Sequence, residues 1–318
     1  FALNVKNGII IVDEPEIHLH PKWQKLLLNI LLEICEDTGS QIVIATHSPS
    51  FINDQTCFDI LRFFKNENNE TQVIKSNNYD EIKQKNILLT INATNNEKIF
   101  FADKIILVEG ITDKLIFQKI LDTEFPNLRQ NQIIEIIEIG GKHNYKKFKE
   151  YIETLKIPLY YISDIDSLNE YGNEKIRSFL KPDYKKIKTK VIKDKNSIDG
   201  KNLLLKLNHA IKNKNFNKLE QLWDYIKERN SHLNVKDLNE EELNQIENFI
   251  SELELKNIYI LKLGEIEDYF PFKCDDKISQ ELLDLITDDD AFNNWRNSKE
   301  YETIYNQLKT IIEKIIKN

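Results

Sequence analysis

The sequence has 318 residues, with 44 Lys+Arg against 52 Asp+Glu, a formal net charge of −8, 41% hydrophobic and 30% charged residues. This length accommodates about two domains of ordinary size, each able to bury a core. The composition excludes collagen-like, disulfide-scaffold and wholly disordered chains, and with no run of about eighteen apolar residues no membrane span is expected.

In chain order, Gly8 to Val12 reads as a short buried strand closing on Asp13-Glu14-Pro15, Trp23 to Cys35 has helical periodicity, and Gln41 to Ala45 is a second buried strand running into Thr46-His47-Ser48-Pro49. Strand, helix, strand in this order predicts a parallel βαβ unit. Asn66 to Asn96 is polar and Asn-rich and reads as a connection. A second α/β pattern starts at Lys104. Its strands are Ile105–Val108, Ile133–Ile139, Leu159–Ser163 and Asn257–Leu263, and helices are expected over Thr112–Leu121 and Tyr145–Leu155. A helix-rich insert occupies about 176–256, and the tail from Ile278 to Asn318 is helical around Trp295. The fold class is therefore α/β with a parallel sheet, a helical insertion and a helical tail. The expected domains are 1–98, 99–275 carrying the insert, and the helical segment 276–318.

Charge is uneven. Lys181 to Lys218 holds 12 Lys and no Arg against Asp183, Asp194 and Asp199, a local balance of +9. By itself such a stretch reads as a solvated face; beside a phosphate-processing site it reads as a contact for a nucleic-acid backbone. Cys35, Cys57 and Cys274 are scattered without a CxxC pair, which fits a reducing cytoplasm and argues against a zinc knuckle.

A first constellation is Asp13, Glu14 and His47. An apolar strand ending in Asp-Glu is the Walker B pattern: the strand holds Asp13 where it can bind Mg²⁺, and Glu14 then sits where a carboxylate can polarise the water that attacks a γ-phosphate. An imidazole at the end of the next strand, His47, can hydrogen-bond that phosphate. Ile-Val-Asp-Glu-Pro-Glu-Ile-His-Leu-His-Pro with Ile-Ala-Thr-His-Ser-Pro resembles the Walker B, D-loop and H-loop of the ABC ATPase branch that includes OLD-family proteins. The resemblance implies that Asp13 supports Mg²⁺, Glu14 is the hydrolytic base and His47 the switch histidine, and it places His18 and His20 in the D-loop at a dimer contact rather than in a metal site. A P-loop requires Gly-x-x-x-x-Gly-Lys-Ser/Thr. The Gly-Lys pairs here, Gly141-Lys142 and Gly200-Lys201, are followed by His143 and Asn202. With Phe1 as first residue and no Met in the chain, the expectation is the C-terminal part of an ABC-type ATPase whose nucleotide cradle lies outside this sequence.

A second constellation is Glu109, Asp113, Asp164, Asp166 and Glu267. In a parallel sheet the C-terminal strand ends gather on one edge, where sites form. Carboxylates converging there without Lys or Arg partners repel one another unless divalent cations neutralise them, and oxygen-only ligands favour Mg²⁺ or Mn²⁺ over zinc. Ile-Leu-Val-Glu-Gly-Ile-Thr-Asp-Lys followed by Ile-Ser-Asp-Ile-Asp-Ser resembles the Toprim domain, and the extra Asp113, the Ile-Gly-Gly-Lys and the later Gly-Glu-Ile-Glu-Asp-Tyr resemble its OLD branch. That resemblance implies two metal clusters, one around Asp164 and Asp166 and one around Glu109 and Asp113. Glu267 joins the ligands, with Glu265 as its rival. It further implies a late Lys at the nuclease site, for which Lys299 and Lys273 are candidates.

Together the resemblances imply a Toprim domain fused to an ABC ATPase: an ATP-regulated, metal-dependent DNA endonuclease or nickase using two Mg²⁺ or Mn²⁺ ions, with ATP and Mg²⁺ at the ABC site of the full-length protein. A homodimer or higher homo-oligomer is expected, acting on DNA in the cytoplasm without a membrane. Related members serve antiphage systems such as Gabija and certain retrons, which adds a defence-system protein or RNA/DNA element as a possible partner. The rival function is a DNA repair or recombination clamp without nuclease activity. A topoisomerase would need a DNA-binding module presenting a nucleophilic Tyr, and a primase a zinc region.

Overall fold

The computed structural model describes residues 6–53, 55–56, 58–66, 68–75, 91, 97–128, 132–182, 198–229, 231–233, 238–272 and 278–318. Its contacts divide the chain into two compact units: residues 1–106 with 127–137 and 143–159, and residues 107–126, 138–142 and 160–318.

The chain begins with β1 (Ile9–Asp13), α1 (Pro21–Thr38) and β2 (Gln41–Ala45). The strands pair in parallel, Ile9 opposite Gln41 through Asp13 opposite Ala45, as the βαβ reading expects. Helix α1 starts at Pro21, whose missing N–H costs nothing in a first turn. His20 caps it, its Nδ1 accepting the Lys22 N–H at 3.2 Å. Leu28 and Leu31 pack with Phe51, Ile42 and Ile44, so α1 covers one face of the strand pair. The two strands are less buried than their apolar runs suggest. Ile9, Ile11 and Val43 are 68%, 77% and 51% exposed, because side chains alternate across a strand and α1 covers only one side.

An antiparallel hairpin follows, β3 (Leu61–Lys65) with β4 (Thr71–Lys75). The sequence reading placed β4 in a polar connection. The hairpin is tied down by Arg62, whose guanidinium donates to Leu155 O at 3.1 Å and Ala102 O at 3.3 Å and lies 5.1 Å from the centroid of the Phe64 ring.

The larger sheet is built from β5 (Lys104–Val108), β6 (Ile134–Glu138), β7 (Leu159–Asp164) and β10 (Ile258–Leu261), in the order β10-β7-β5-β6. β10 is parallel to β7. β6 runs along β5 in the same direction, since the Lys104 N–H donates to Ile133 O near one end and the Ile139 N–H to Val108 O at the other. Ile105 to Val108 are wholly buried, as continuous apolar strands of a parallel sheet must be. Helices α2 (Ile111–Glu124) and α3 (Tyr145–Thr154) follow β5 and β6. Beyond β7, the short β8 (Leu180–Pro182) pairs antiparallel with β9 (Ser231–Leu233), a ribbon that the sequence reading did not anticipate. Between them lie α4 (Ile198–Lys212) and α5 (Phe216–Arg229), and α6 (Glu240–Glu254) leads into β10. Part of the Lys-rich stretch, 183–197, falls outside the described residues, as do Cys57 and Cys274.

The tail forms α7 (Gln280–Thr287), α8 (Asp289–Asn297) and α9 (Glu302–Lys317). Glu124, at the end of α2 and 11% exposed, takes Arg296 Nη1 at 2.6 Å, the Tyr305 hydroxyl at 2.9 Å and Lys309 Nζ at 2.6 Å. Burial pushes its carboxyl up, yet the bonds from Lys309, Tyr305 and Arg296 outweigh that and hold it below the ordinary range. A depressed folded-state pKa contributes stability above the unfolded value, near 4.3, that is lost as pH falls through the folded one. Glu124→Gln is therefore expected to cost about 2–3 kcal/mol at pH 7. In urea melts, the gap from wild type should close below about pH 4; a gap independent of pH would contradict the assignment. Among the described residues no helix is long and apolar enough to cross a membrane.

Candidate metal centre

The sheet ends deliver the carboxylates. Glu109 follows β5 directly, and Asp113 lies in the first turn of α2, where it accepts the Gly110 N–H at 3.0 Å. Asp164 is the last residue of β7, and Asp166 lies in the 3₁₀ turn Ile165–Ser167 that follows. One carboxylate oxygen each from Glu109, Asp164 and Asp166 lies within 4.8 Å of the others. Glu109 is fixed from β7: its Oε1 accepts Ser163 Oγ at 2.5 Å, the Asp164 N–H at 3.3 Å and the Tyr161 hydroxyl at 3.4 Å. Ser163 and Ser167, both buried, hydrogen-bond each other.

Two glycine segments bring in the rest. Gly140 and Gly141 have φ of 68° and 107°, left-handed values that favour glycine. They fold the loop after β6 back so that the Gly141 N–H meets Glu109 O at 3.0 Å, which places Lys142 in an ion pair with Asp166 Oδ2. After β10, Gly264 has φ of 141°, and a Cβ there would lie 2.0 Å from Asp268 Oδ2. The Ile165 N–H donates to Gly264 O at 3.3 Å, joining the loop that carries Glu265 and Glu267 to the turn that carries Asp166.

The electrostatics are those of crowded acids. Burial raises the Asp113 carboxyl to about 8, with Glu267 and Glu109 pushing the same way. Burial also raises Asp164 well above the carboxylate range, reinforced by Glu109, Asp113, Asp166 and Glu265. Glu109 is raised by burial and by Asp166, partly offset by the Ser163 hydrogen bond and Lys142. Lys142 is raised too, because Asp166, Glu109 and Glu170 outweigh its burial.

A divalent cation fits this donor set. The donors are carboxylate oxygens, they are mutually destabilised, and Asp166 Oδ1 is buried without a hydrogen-bond partner. An uncompensated buried oxygen beside like charges is what a hard cation satisfies. The geometry groups Glu109 with Asp164 and Asp166, whereas the family pattern grouped it with Asp113. Asp113 has Glu267 as its strongest acidic neighbour, and Glu265 acts on Asp164. Lys299 is exposed in the turn between α8 and α9, and no described contact joins it to the carboxylates; Lys273 lies outside the described residues. Among the described residues the cation paired with the cluster is Lys142. Sequence reasoning passed over it as a site residue, although the Gly-Gly-Lys after β6 signalled it. Ser163 was missed for want of any signal beyond its place between Ile162 and Asp164.

On the smaller sheet, Asp13 ends β1 and Glu14 follows with φ of 42°. His47 Nε2 lies 3.6 Å from Glu14 Oε1, so the three expected residues sit at adjacent strand ends. Glu16 braces them: its Oε1 accepts the His47 and Ser48 N–H groups at 2.9 and 3.1 Å and the Thr46 hydroxyl. Burial raises the Glu16 carboxyl, but these bonds together hold it below its ordinary value.

Comparison with known proteins agrees with both halves. Residues 100–166 match the family described as "Overcoming lysogenization defect protein-like, TOPRIM domain", and residues 1–53 match "AAA domain, putative AbiEii toxin, Type IV TA system". Similar curated proteins include an OLD nuclease of Thermus scotoductus, 26% identical over 183 residues, covering 55% of this chain and 34% of that protein. An Endonuclease GajA of Bacillus cereus is 27% identical over 190 residues, covering 52% and 27%. The Old nuclease of Escherichia phage P2 is 24% identical over 291 residues, covering 89% and 47%. The matched stretch thus spans between about a quarter and a half of these relatives. A parallel sheet with a Toprim acidic cluster, preceded by part of an AAA-type ATPase domain, defines the class as ATPase–Toprim. Within it, the two family matches and the relatives named OLD nuclease and Endonuclease GajA support an OLD-family protein.

Proposed function

We propose that this chain carries the nuclease centre of an ATP-regulated, divalent-metal-dependent DNA endonuclease or nickase. The observation that carries the reading is the convergence of Glu109, Asp164 and Asp166 at one sheet edge, with an unpartnered buried oxygen on Asp166. Glu109, Asp164 and Asp166 would hold one Mg²⁺ or Mn²⁺ ion, and Asp113 with Glu267 a second, with Glu265 beside Asp164. Such ions supply Lewis acidity to a scissile phosphate and an activated water. The chain's own contribution is orientation: Ser163 and the Asp164 N–H fix the Glu109 carboxylate, and the loop from Gly264 carries Glu265 and Glu267 to the same edge. The Lys-rich stretch from Lys181 to Lys218, which follows the Asp-x-Asp strand in sequence, would track the DNA backbone by charge.

Asp13, Glu14 and His47 would act on Mg²⁺-ATP in the full-length protein, whose ATPase heads would pair as a homodimer or higher oligomer. A cytoplasmic role in defence against phage follows from the family resemblance. Incubating full-length protein with supercoiled plasmid and Mg²⁺ or Mn²⁺, with and without ATP, tests the core of this reading. Nicked or linear DNA is expected. Intact plasmid in every condition would overturn it in favour of a DNA clamp.

A further inference from the structure

Asp166 is used unevenly. Its Oδ2 takes the Lys142 ammonium, while its Oδ1 is buried and unpartnered. Lys142 and Asp166 are 26% and 20% exposed, so the pair is largely shielded from water, and a pair in that position is felt by everything around it. Asp166, which clusters with Glu109 and Asp164, holds this ammonium, and Glu109 and Glu170 also act on it. The loop that delivers it is Gly140-Gly141, whose backbone is committed by the Gly141–Glu109 bond. A lysine there is a compact charge on a flexible stem, able to swing without moving the loop. An entering divalent ion would repel this ammonium and compete with it for Asp166.

We propose that Lys142 is a resident counterion: it holds Asp166 while the site lacks metal, yields it when a divalent ion enters, and then turns to the phosphate of the nucleic-acid substrate. Lys142 is a positioning residue in the first state and touches substrate in the second. The ion-exchange half stands on the contacts above, and the phosphate half rests on the nuclease reading.

The sign of one measurement separates this from a permanent structural bridge. Mn²⁺ binding to full-length protein without nucleotide is measured by titration calorimetry, with Asp164→Asn identifying the Toprim component as the signal it removes. Lys142→Met is expected to bind Mn²⁺ at least about tenfold more tightly at that site, since a repelling charge and a competitor are gone. Its metal-free melting temperature should fall by several degrees, since the carboxylates lose their counterion, and plasmid cleavage should drop despite the tighter metal. Lys142→Arg should restore the metal-free melting temperature and the wild-type Mn²⁺ affinity. Unchanged or weaker Mn²⁺ binding in Lys142→Met would overturn the exchange, as would an unchanged metal-free melting temperature. Wild-type cleavage rates in Lys142→Met would overturn the phosphate contact. Wild-type protein with no Mn²⁺ binding that depends on Asp164 would overturn this inference and the nuclease reading together, whereas strong binding indifferent to Lys142 would overturn only the inference.

Discussion

Asp164→Asn is expected to reduce metal-dependent plasmid cleavage by more than about a hundredfold while raising the melting temperature of the metal-free protein. The two effects have one cause. Asp164 is half-buried at the end of β7, with Glu109, Asp113, Asp166 and Glu265 acting on it. Without a cation its charge is disfavoured by burial and by every one of those neighbours. The amide keeps the shape and removes the repulsion, so the empty site relaxes. With a cation the same carboxylate would serve as a ligand. Loss of a group that merely orients a ligand costs 10–100-fold in affinity or activity in comparable sites, and loss of a ligand itself should exceed that. Opposite signs for stability and activity are the mark of a site selected for binding rather than for the fold. Cleavage at the wild-type rate would remove Asp164 from the site. A fall in metal-free melting temperature would contradict the picture of mutually repelling acids.

Trp295→Ala should cost about 3–5 kcal/mol of stability, the range for deleting a large buried aromatic. Trp295 is 3% exposed, and its ring centroid lies 5.2 Å from Tyr305, 5.6 Å from Phe292 and 5.9 Å from Phe270. Its indole N–H donates to Tyr269 O at 3.2 Å, so truncation also strips a buried carbonyl of its donor. The consequence reaches the site, because Tyr269 uses its hydroxyl to accept the Leu263 N–H at 3.2 Å. That bond spans the loop that presents Glu265 and Glu267. Denaturant unfolding of the variant should show the loss, and calorimetry should show weaker Mn²⁺ binding. A melting curve superimposable on wild type would contradict this role for the tail.

How far the sequence revealed the fold depends on the kind of signal. β5 and β7 are largely apolar runs that close on carboxylates, and β10 is a buried run with Glu265 a short turn beyond it; a buried parallel strand must read that way, so the strands and the acids at their ends were legible together. β1 and β2 carry the same kind of run, yet Ile9 and Ile11 are exposed. A run reveals strand propensity, whereas burial depends on what covers each face. β4, with Thr71, Gln72 and Lys75, lacks the apolar alternation that marks a strand, and its pairing comes from β3 and the anchorage of Arg62. At the site, the acids were legible because burying like charges together needs a reason that chemistry supplies. Their grouping was not, because the distances among Glu109, Asp113 and Asp164 depend on how three loops close. The cation was legible as a Gly-Gly-Lys only once the left-handed conformations of Gly140 and Gly141 showed why the glycines were there.

The central claim is that Glu109, Asp164 and Asp166 form a divalent-metal site. The most direct test is a crystal of the full-length protein soaked in Mn²⁺, with anomalous diffraction recorded at the manganese edge. The account predicts an anomalous peak within about 2.3 Å of oxygens from all three carboxylates. Peaks elsewhere, with none among these three residues at saturating Mn²⁺, would contradict it.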